Sequence, residues 1–436
     1  MDRDRAAMTR VYLHTFGCKA NQYDTEVVRQ ALEDAGATIV GDPGQADAAV
    51  VNSCTVTHVG EAKMRGLVRR LARRRPDIRT VVVGCAAAVD DGTLGRLPGV
   101  VAVRGGAEPA DVCAALDLPH PTAPRPLLRR FARGTRAWLK IQDGCDEHCT
   151  FCATVLARGA SRSRTVEDVV AEARLLAEHA EEIVLTGVHI GGYGRDLERG
   201  SGGRGGRSGR GGVGLGALME RLVVEVPRVR FRLSSVEATE LDDALVELMA
   251  HHPDRLVPHL HAPLQSGSDL LLRRMGRHWY TASEYRRQVE RVAGRLPVFA
   301  LGADVIVGFP GETGADHAAT RLVLAELPFT YVHVFPYSAR PDAPARRFGE
   351  PVPAAVAQER SAELRALVAA KGKLHATERS GEAADVVLLR RRAGHAEGLT
   401  EDYLSVTVSV DTVPAARFAA RLEHDAGVLT AHPLAA

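Results

Sequence analysis

Along the first hundred residues the apolar and polar positions repeat in one order. A short apolar run comes first, then a glycine-rich or polar break, then a longer stretch with helical spacing. Val11–Phe16, Val50–Val51 with the alanines before them, Thr80–Val83 and Val100–Val103 are the apolar runs, short and unbroken like strands buried on both faces. Asn21 is placed to cap a helix reaching about Gly36, a basic amphipathic helix runs to Arg75, and another helix is expected from Pro109 to Leu116. Strand and helix alternate, which predicts a doubly wound parallel sheet.

After a proline-rich interruption the alternation resumes. Strands are expected at 137–141, 182–186, 230–233, 256–261, 301–307 and 331–335, with helices at 165–179, 215–226, 240–250, 268–293 and 313–327. Six such repeats predict a partial (β/α)6 barrel, whose chemistry belongs at the carboxyl ends of its strands. A long alanine-rich helix follows at 354–380. The period then shortens to two at Ala384–Leu389, Tyr403–Val408 and Ala426–Ala431, as in a small β-barrel. The expected organisation is an α/β domain at 9–118, a basic, proline-containing linker at 119–135, the barrel domain at 136–370 and a β module at 371–436. Residues 199–214 are glycine, arginine and serine almost throughout, a composition that cannot build a packed core.

Composition narrows the chemistry. The chain has 436 residues, 45% of them apolar and 25% charged, with a formal net charge of +2, so any affinity for nucleic acid must come from local basic patches. Arg125, Arg129, Arg130, Arg133 and Arg136 in and after the linker are either solvated charge or a phosphate-contacting strip, and Arg390–Arg392 are expected on a turn open to phosphate. Seven cysteines, no signal-peptide pattern and no membrane-spanning apolar run fit a reducing, cytoplasmic setting, where clustered cysteines are metal ligands rather than bridges.

Cys145, Cys149 and Cys152 are spaced C-x3-C-x2-C in a loop after the strand that ends at Ile141. Three thiolates this close can hold a four-iron cluster with one iron open to a small molecule. A zinc site completed by His148, or plain buried thiols, are the other readings. Cys18, Cys54 and Cys85 each fall just past the carboxyl end of a different predicted strand, the edge where such sheets bind ligands. They are either a second three-cysteine site or unrelated core residues. Cys113, inside a helix, is read as core.

With Phe151 before its last cysteine, the C-x3-C-x2-C run resembles the signature of radical S-adenosylmethionine (SAM) enzymes. Thr15–Glu26 around Cys18, Asn52–Thr57 around Cys54 and Val83–Ala86 around Cys85 resemble the amino-terminal domain of the methylthiotransferases within that group. Gly398-Leu-Thr-Glu-Asp-Tyr403 resembles the TRAM domain, a small RNA-binding β-barrel. The resemblance implies two 4Fe-4S clusters. Cys145, Cys149 and Cys152 would hold the one that binds and cleaves SAM, and Cys18, Cys54 and Cys85 an auxiliary one that delivers the methylthio group. Phe151 and the strand-end residues Gly187, Ser235, Glu237 and Gln265 would contact SAM. Arg158–Arg164 resembles a basic stretch of family members acting on tRNA, whereas Ala153–Leu156 departs from the usual pattern.

A purine carbon–hydrogen bond is not acidic enough for base catalysis, so sulfur insertion there needs a radical. The residues after Cys18 and Cys54 look most like the subgroup that modifies N6-threonylcarbamoyladenosine next to the tRNA anticodon. Alternatives are isopentenyladenosine in tRNA, a ribosomal-protein aspartate, or a non-catalytic metal-loaded RNA-binding protein. Implied partners are tRNA and a flavodoxin- or ferredoxin-type electron donor, with the sulfur donor unknown and no membrane.

Overall fold

The computed structural model describes residues 9–55, 58–121, 126–132, 134–199, 214–340 and 343–434. Arg125, Arg133 and nearly all of the glycine–arginine stretch, 200–213, lie outside them. The chain forms two compact units. One is 1–129 with 143–147 and 152–162; the other is 130–142, 148–151 and 163–436.

In the first unit, β1 (Arg10–Thr15), β2 (Thr38–Val40), β3 (Ala48–Ser53), β4 (Arg79–Gly84) and β5 (Val100–Arg104) form a parallel sheet in the order β2-β1-β3-β4-β5. Successive side chains point to opposite faces. Val50, Val81 and Val83 therefore pack with Val28 and Leu32 of α1 (Lys19–Asp34) and with Val112 and Cys113 of α4 (Pro109–Ala115). Val51 and Val82 pack on the other face with Met64, Val68 and Leu71 of α2 (His58–Arg74). Both faces are covered, as expected of a doubly wound sheet. Cys113 is a core residue, 1% exposed.

Two expectations fail here. The edge strand β2 has only three residues and gave no apolar run. Asn21 does not cap α1; Cys18 occupies the cap position, and Asn21 is buried in the first turn.

The second unit carries β6 (Arg136–Lys140), β9 (Glu182–Thr186), β10 (Arg230–Leu233), β11 (His259–His261), β12 (Ala300–Val307) and β13 (Phe329–Pro336). The short strands β7 (Gln142–Asp143) and β8 (Arg162–Ser163) flank the cysteine loop in sequence. All barrel pairings are parallel, in the runs β6-β9-β10 and β11-β12-β13. Parallel bridges Phe231↔Leu256 and Ser235↔His261 join the two runs into a six-stranded partial barrel. Leu301, Ala303, Val305 and Val307 are buried on one face of β12. The helices between strands are α6 (Val166–Ala177), α7 (Arg195–Arg199), α8 (Leu215–Glu225), α9 (Asp243–His251), α10 (Asp269–Arg274), α11 (Ala282–Ala293) and α12 (Gly314–Glu326). The single helix expected at 268–293 is two, because Gly276 turns into the left-handed region (φ +79°) and Thr281 opens α11 with a capping box.

α13 (Ala354–Glu378) leads to a closed barrel of five strands: β14 (Ala383–Arg391), β15 (His395–Leu399), β16 (Ser405–Ser409), β17 (Arg417–Asp425) and β18 (Val428–Pro433). Three strands were expected. Arg390 and Arg391 end β14 rather than lying on a turn, and Arg390 and Arg392 both pair with Glu397.

The two barrels of this unit interlock through charge. Glu182, fully buried, accepts from Arg136 (2.6 Å), Arg230 (2.8 Å) and Arg232 (2.9 Å). Arg230 also donates to the Leu399 carbonyl (3.0 Å) and to Asp385 (3.0 Å), and Arg232 to the carbonyls of Thr400 and Glu401 (3.0 Å each). Burial alone would push the Glu182 carboxyl up. The Arg232, Arg136 and Arg230 guanidiniums outweigh it and hold the carboxyl well below its usual range.

Candidate two-cluster site

Cys18, Cys54 and Cys85 follow β1, β3 and β4, which are neighbours in the first unit's sheet, so residues distant in sequence meet at one edge. Asn21 organises them. Its Nδ2 donates to the carbonyls of Phe16 (3.0 Å) and Ser53 (2.9 Å), while its Oδ1 lies 3.6 Å from the Cys18 sulfur and 3.9 Å from that of Cys85. Cys54 packs against Gly17, where a Cβ would stand 3.1 Å from the thiol. Asn52, also buried, fixes Asn21 by donating to its carbonyl (2.9 Å). Burial pushes the Cys85 thiol up, against the pull of the Arg158 guanidinium beside it.

Glycine precedes Cys18, Cys85 and Cys145, each time with positive φ (106°, 90° and 70°). At Gly84 a Cβ would lie 2.2 Å from Asn52 Oδ1, and at Gly144 2.0 Å from the Ala160 carbonyl oxygen. These two backbones admit no side chain.

The C-x3-C-x2-C loop is divided between the units. In the first, the Cys145 amide donates to the Gly159 carbonyl (3.0 Å) and its sulfur accepts from the Glu147 amide (3.4 Å). The Cys152 sulfur accepts from the Thr154 amide (3.3 Å), before α5 (Thr154–Arg158). In the second unit, Arg277 Nη1 donates to the Cys149 sulfur at 3.6 Å. Phe151 packs with Leu271, Met275, Phe309 and Ala345.

Among the strand-end candidates, Glu237 is the most distinctive. Arg277 pairs with its Oε1, while its Oε2 is buried with no hydrogen-bond partner among the described residues. Burial pushes the Glu237 carboxyl up, and Arg277 opposes the shift. Gln265 sits in the left-handed region (φ +61°) between Asp304 and Ile306, an uncommon and costly backbone for glutamine. Ser235 is exposed beside β11. At Gly187 the space a Cβ would need is taken by the Gln142 carbonyl and Ile190, each 2.7 Å away, so the close approach there is made by protein.

Sequence reasoning missed Arg277, Asn21 and a polar layer on β11–β13. In that layer Asp304 Oδ1 bridges His261 and His333 at 3.2 Å each, and Tyr331 Oη joins His261 (3.0 Å) and His259 (2.9 Å). Only the alternation of polar residues along these strands signalled it. Those hydrogen bonds account for the His–Asp–His grouping without an ion.

The donors suit the groups implied. Three thiols at one sheet edge are soft ligands matched to iron–sulfur chemistry, and the orphaned Glu237 Oε2 offers an acceptor for a cationic ammonium such as that of SAM.

Residues 10–105 match the family described as Uncharacterized protein family UPF0004, and residues 139–323 match the Radical SAM superfamily. The chain is 35% identical over 398 residues to the threonylcarbamoyladenosine tRNA methylthiotransferase MtaB of Bacillus subtilis (strain 168), covering 87% of this chain and 85% of that one. It is also 35% identical over 379 residues to a tRNA-2-methylthio-N(6)-dimethylallyladenosine synthase of Acidithiobacillus ferrooxidans, covering 82% and 81%. Among solved structures, the radical S-adenosylmethionine methyltransferase TsrM of Kitasatospora setae shares the fold (TM-score 0.55, 16% identity, 74% of this chain and 72% of that one).

Proposed function

From the premise that this chain belongs to the radical SAM methylthiotransferase family, we propose that it adds a methylthio group to carbon 2 of N6-threonylcarbamoyladenosine next to the anticodon of tRNA. The observation that carries the transfer of sulfur, rather than radical cleavage alone, is the gathering of Cys18, Cys54 and Cys85 around Asn21. Similarity to relatives named for this nucleoside supports the choice of base, as do the residues following Cys18 and Cys54.

In this reading Cys145, Cys149 and Cys152 hold one 4Fe-4S cluster, and Cys18, Cys54 and Cys85 hold the other. When bound, the clusters and SAM supply the one-electron chemistry that opens an aromatic carbon–hydrogen bond and the methylated sulfur that replaces the hydrogen. The protein's part is placement. Glu237, held by Arg277, presents a buried acceptor to the amino group of SAM, and Arg277 also fixes Cys149. Phe151, Ser235 and Gln265 shape the rest of the SAM pocket, while Gly187 serves the packing of Gln142 and Ile190 beside it. The C-terminal β-barrel grips RNA, with exposed Arg390 and Arg392 at its β14–β15 end. A flavodoxin- or ferredoxin-type protein supplies electrons, and the enzyme works in the cytoplasm. None of the described helices is long and apolar enough to cross a membrane.

The test is a comparison of tRNA nucleosides from a deletion strain and its parent by mass spectrometry. Loss of the methylthio form of threonylcarbamoyladenosine, restored by the gene, is the expected result. Loss of the methylthio form of the isopentenyl nucleoside instead would move the assignment to the other tRNA subgroup. Unchanged tRNA with an unmodified ribosomal-protein aspartate would move it out of RNA.

A further inference from the structure

Arg158 opens the stretch that resembles a basic segment of family members acting on tRNA. Its side chain is only 9% exposed, and it faces the first unit's interior. Each guanidinium nitrogen has a partner there. Nε donates to the Cys85 sulfur at 3.2 Å. Nη1 donates to Asp143 at 2.9 Å, and Nη2 to Asn21 Oδ1 at 2.6 Å and Asp24 at 3.0 Å. This one side chain thus ties together α1, the residue that opens α3 (Cys85–Ala88), and both ends of the segment around the cysteine loop. The two carboxylates sit on the terminal nitrogens, leaving the Nε–H directed at sulfur. A planar fork can span these partners; a lysine ammonium, a point charge, cannot.

We propose that Arg158 is a positioning residue of the auxiliary cluster: its Nε–H donates to the sulfur of Cys85 in the loaded enzyme and sets the reduction potential of that cluster. This rests on the assignment of Cys18, Cys54 and Cys85 to a cluster. Hydrogen bonds to ligand sulfur and nearby charge are main determinants of iron–sulfur potentials. A donor facing sulfur stabilises the reduced, more electron-rich cluster, so Arg158 raises the potential. Asp143, a negative charge on the far side of the same guanidinium, works in the opposite sense.

The experiment uses the full chain with Cys145, Cys149 and Cys152 all replaced by alanine, loaded anaerobically with iron and sulfide, and titrated potentiometrically by electron paramagnetic resonance. Arg158→Met and Arg158→Lys are expected to shift the midpoint to more negative values, and Asp143→Asn to more positive ones. In the chain labelled with 15N-arginine, the reduced cluster is expected to show a weak 15N coupling that Arg158→Lys abolishes. Equal midpoints in all four chains, with no 15N coupling, would overturn the proposal. Should Arg158→Met fail to hold iron, the coupling in the unsubstituted chain decides alone. Should the triple-alanine chain itself take up no iron, the assignment of Cys18, Cys54 and Cys85 falls and takes the proposal with it, an outcome read from iron content rather than from potential.

Discussion

Tyr403 of the C-terminal barrel stacks on His259 of the central one, ring centroids 4.4 Å apart, and adopts a left-handed backbone (φ +68°) to do so. The same ring lies 5.3 Å from that of Tyr331 and under the guanidinium of Arg232 at 5.1 Å. Aromatic pairs contribute about 0.5–1.5 kcal/mol beyond their area. Tyr403→Ala should therefore destabilise the second unit by at least ~1 kcal/mol, seen as a lower urea midpoint, while Tyr403→Phe keeps the stack and most of the stability.

Glu182 answers to a different measurement. Removing its charge leaves Arg230 and Arg232 buried beside an uncharged amide, and Glu182→Gln should cost about 3–5 kcal/mol. The sign of its pH dependence is fixed. The carboxyl titrates lower in the folded chain than in the unfolded one, so the unfolded chain takes up the proton first as pH falls. The contribution of Glu182 is complete above about pH 4.3, the unfolded value, and is lost progressively below it. Unfolding midpoints followed from pH 6 to pH 3 should show this loss in the parent and lack that component in Glu182→Gln.

The two cysteine sets should separate by function. Cys145→Ala should abolish reductive SAM cleavage, whereas Cys54→Ala should retain cleavage and lose methylthio transfer. Each should lower reconstituted iron from about eight to about four atoms per chain. Loss of cleavage in both variants would count against two independent sites.

Glu237→Gln tests the SAM pocket. A hydrogen bond to a charged group contributes about 1.5–3 kcal/mol, so SAM affinity should fall roughly 10- to 100-fold by equilibrium dialysis, with iron content unchanged.

Much of the architecture was legible because two-sided burial writes itself as unbroken apolar runs. Glu182–Thr186 and Arg230–Leu233 were read residue for residue. The expected strand at 256–261 shortens to His259–His261, with Pro258, which has no backbone N–H to give a sheet ladder, just before it. β15 and β17 escaped notice because their sequences are poor in β-branched residues: Ala, Glu and Gly occupy the middle of β15, and Ala, Arg and Glu most of β17; the closed barrel, not local propensity, makes them strands. The positions of the cysteines past β1, β3 and β4 could be inferred from topology. The roles of Asn21, Arg158 and Arg277 could not, since each depends on a partner dozens of residues away. The rule that placed Asn21 at a helix cap was sound locally, but Cys18 holds that position and leaves the asparagine amide to hold the sheet edge together.

The glycines before the cysteines change how such genes should be screened. A chain can keep every thiol and still fail to gather them, because alanine at position 84 would drive a methyl group into Asn52 Oδ1 and push Cys85 off the sheet edge. Seven intact cysteines therefore do not by themselves show that the backbone gathering them is intact. The glycine–cysteine pairs at 84–85 and 144–145 act as single units, in which the residue without a side chain is as necessary as the thiol that follows it.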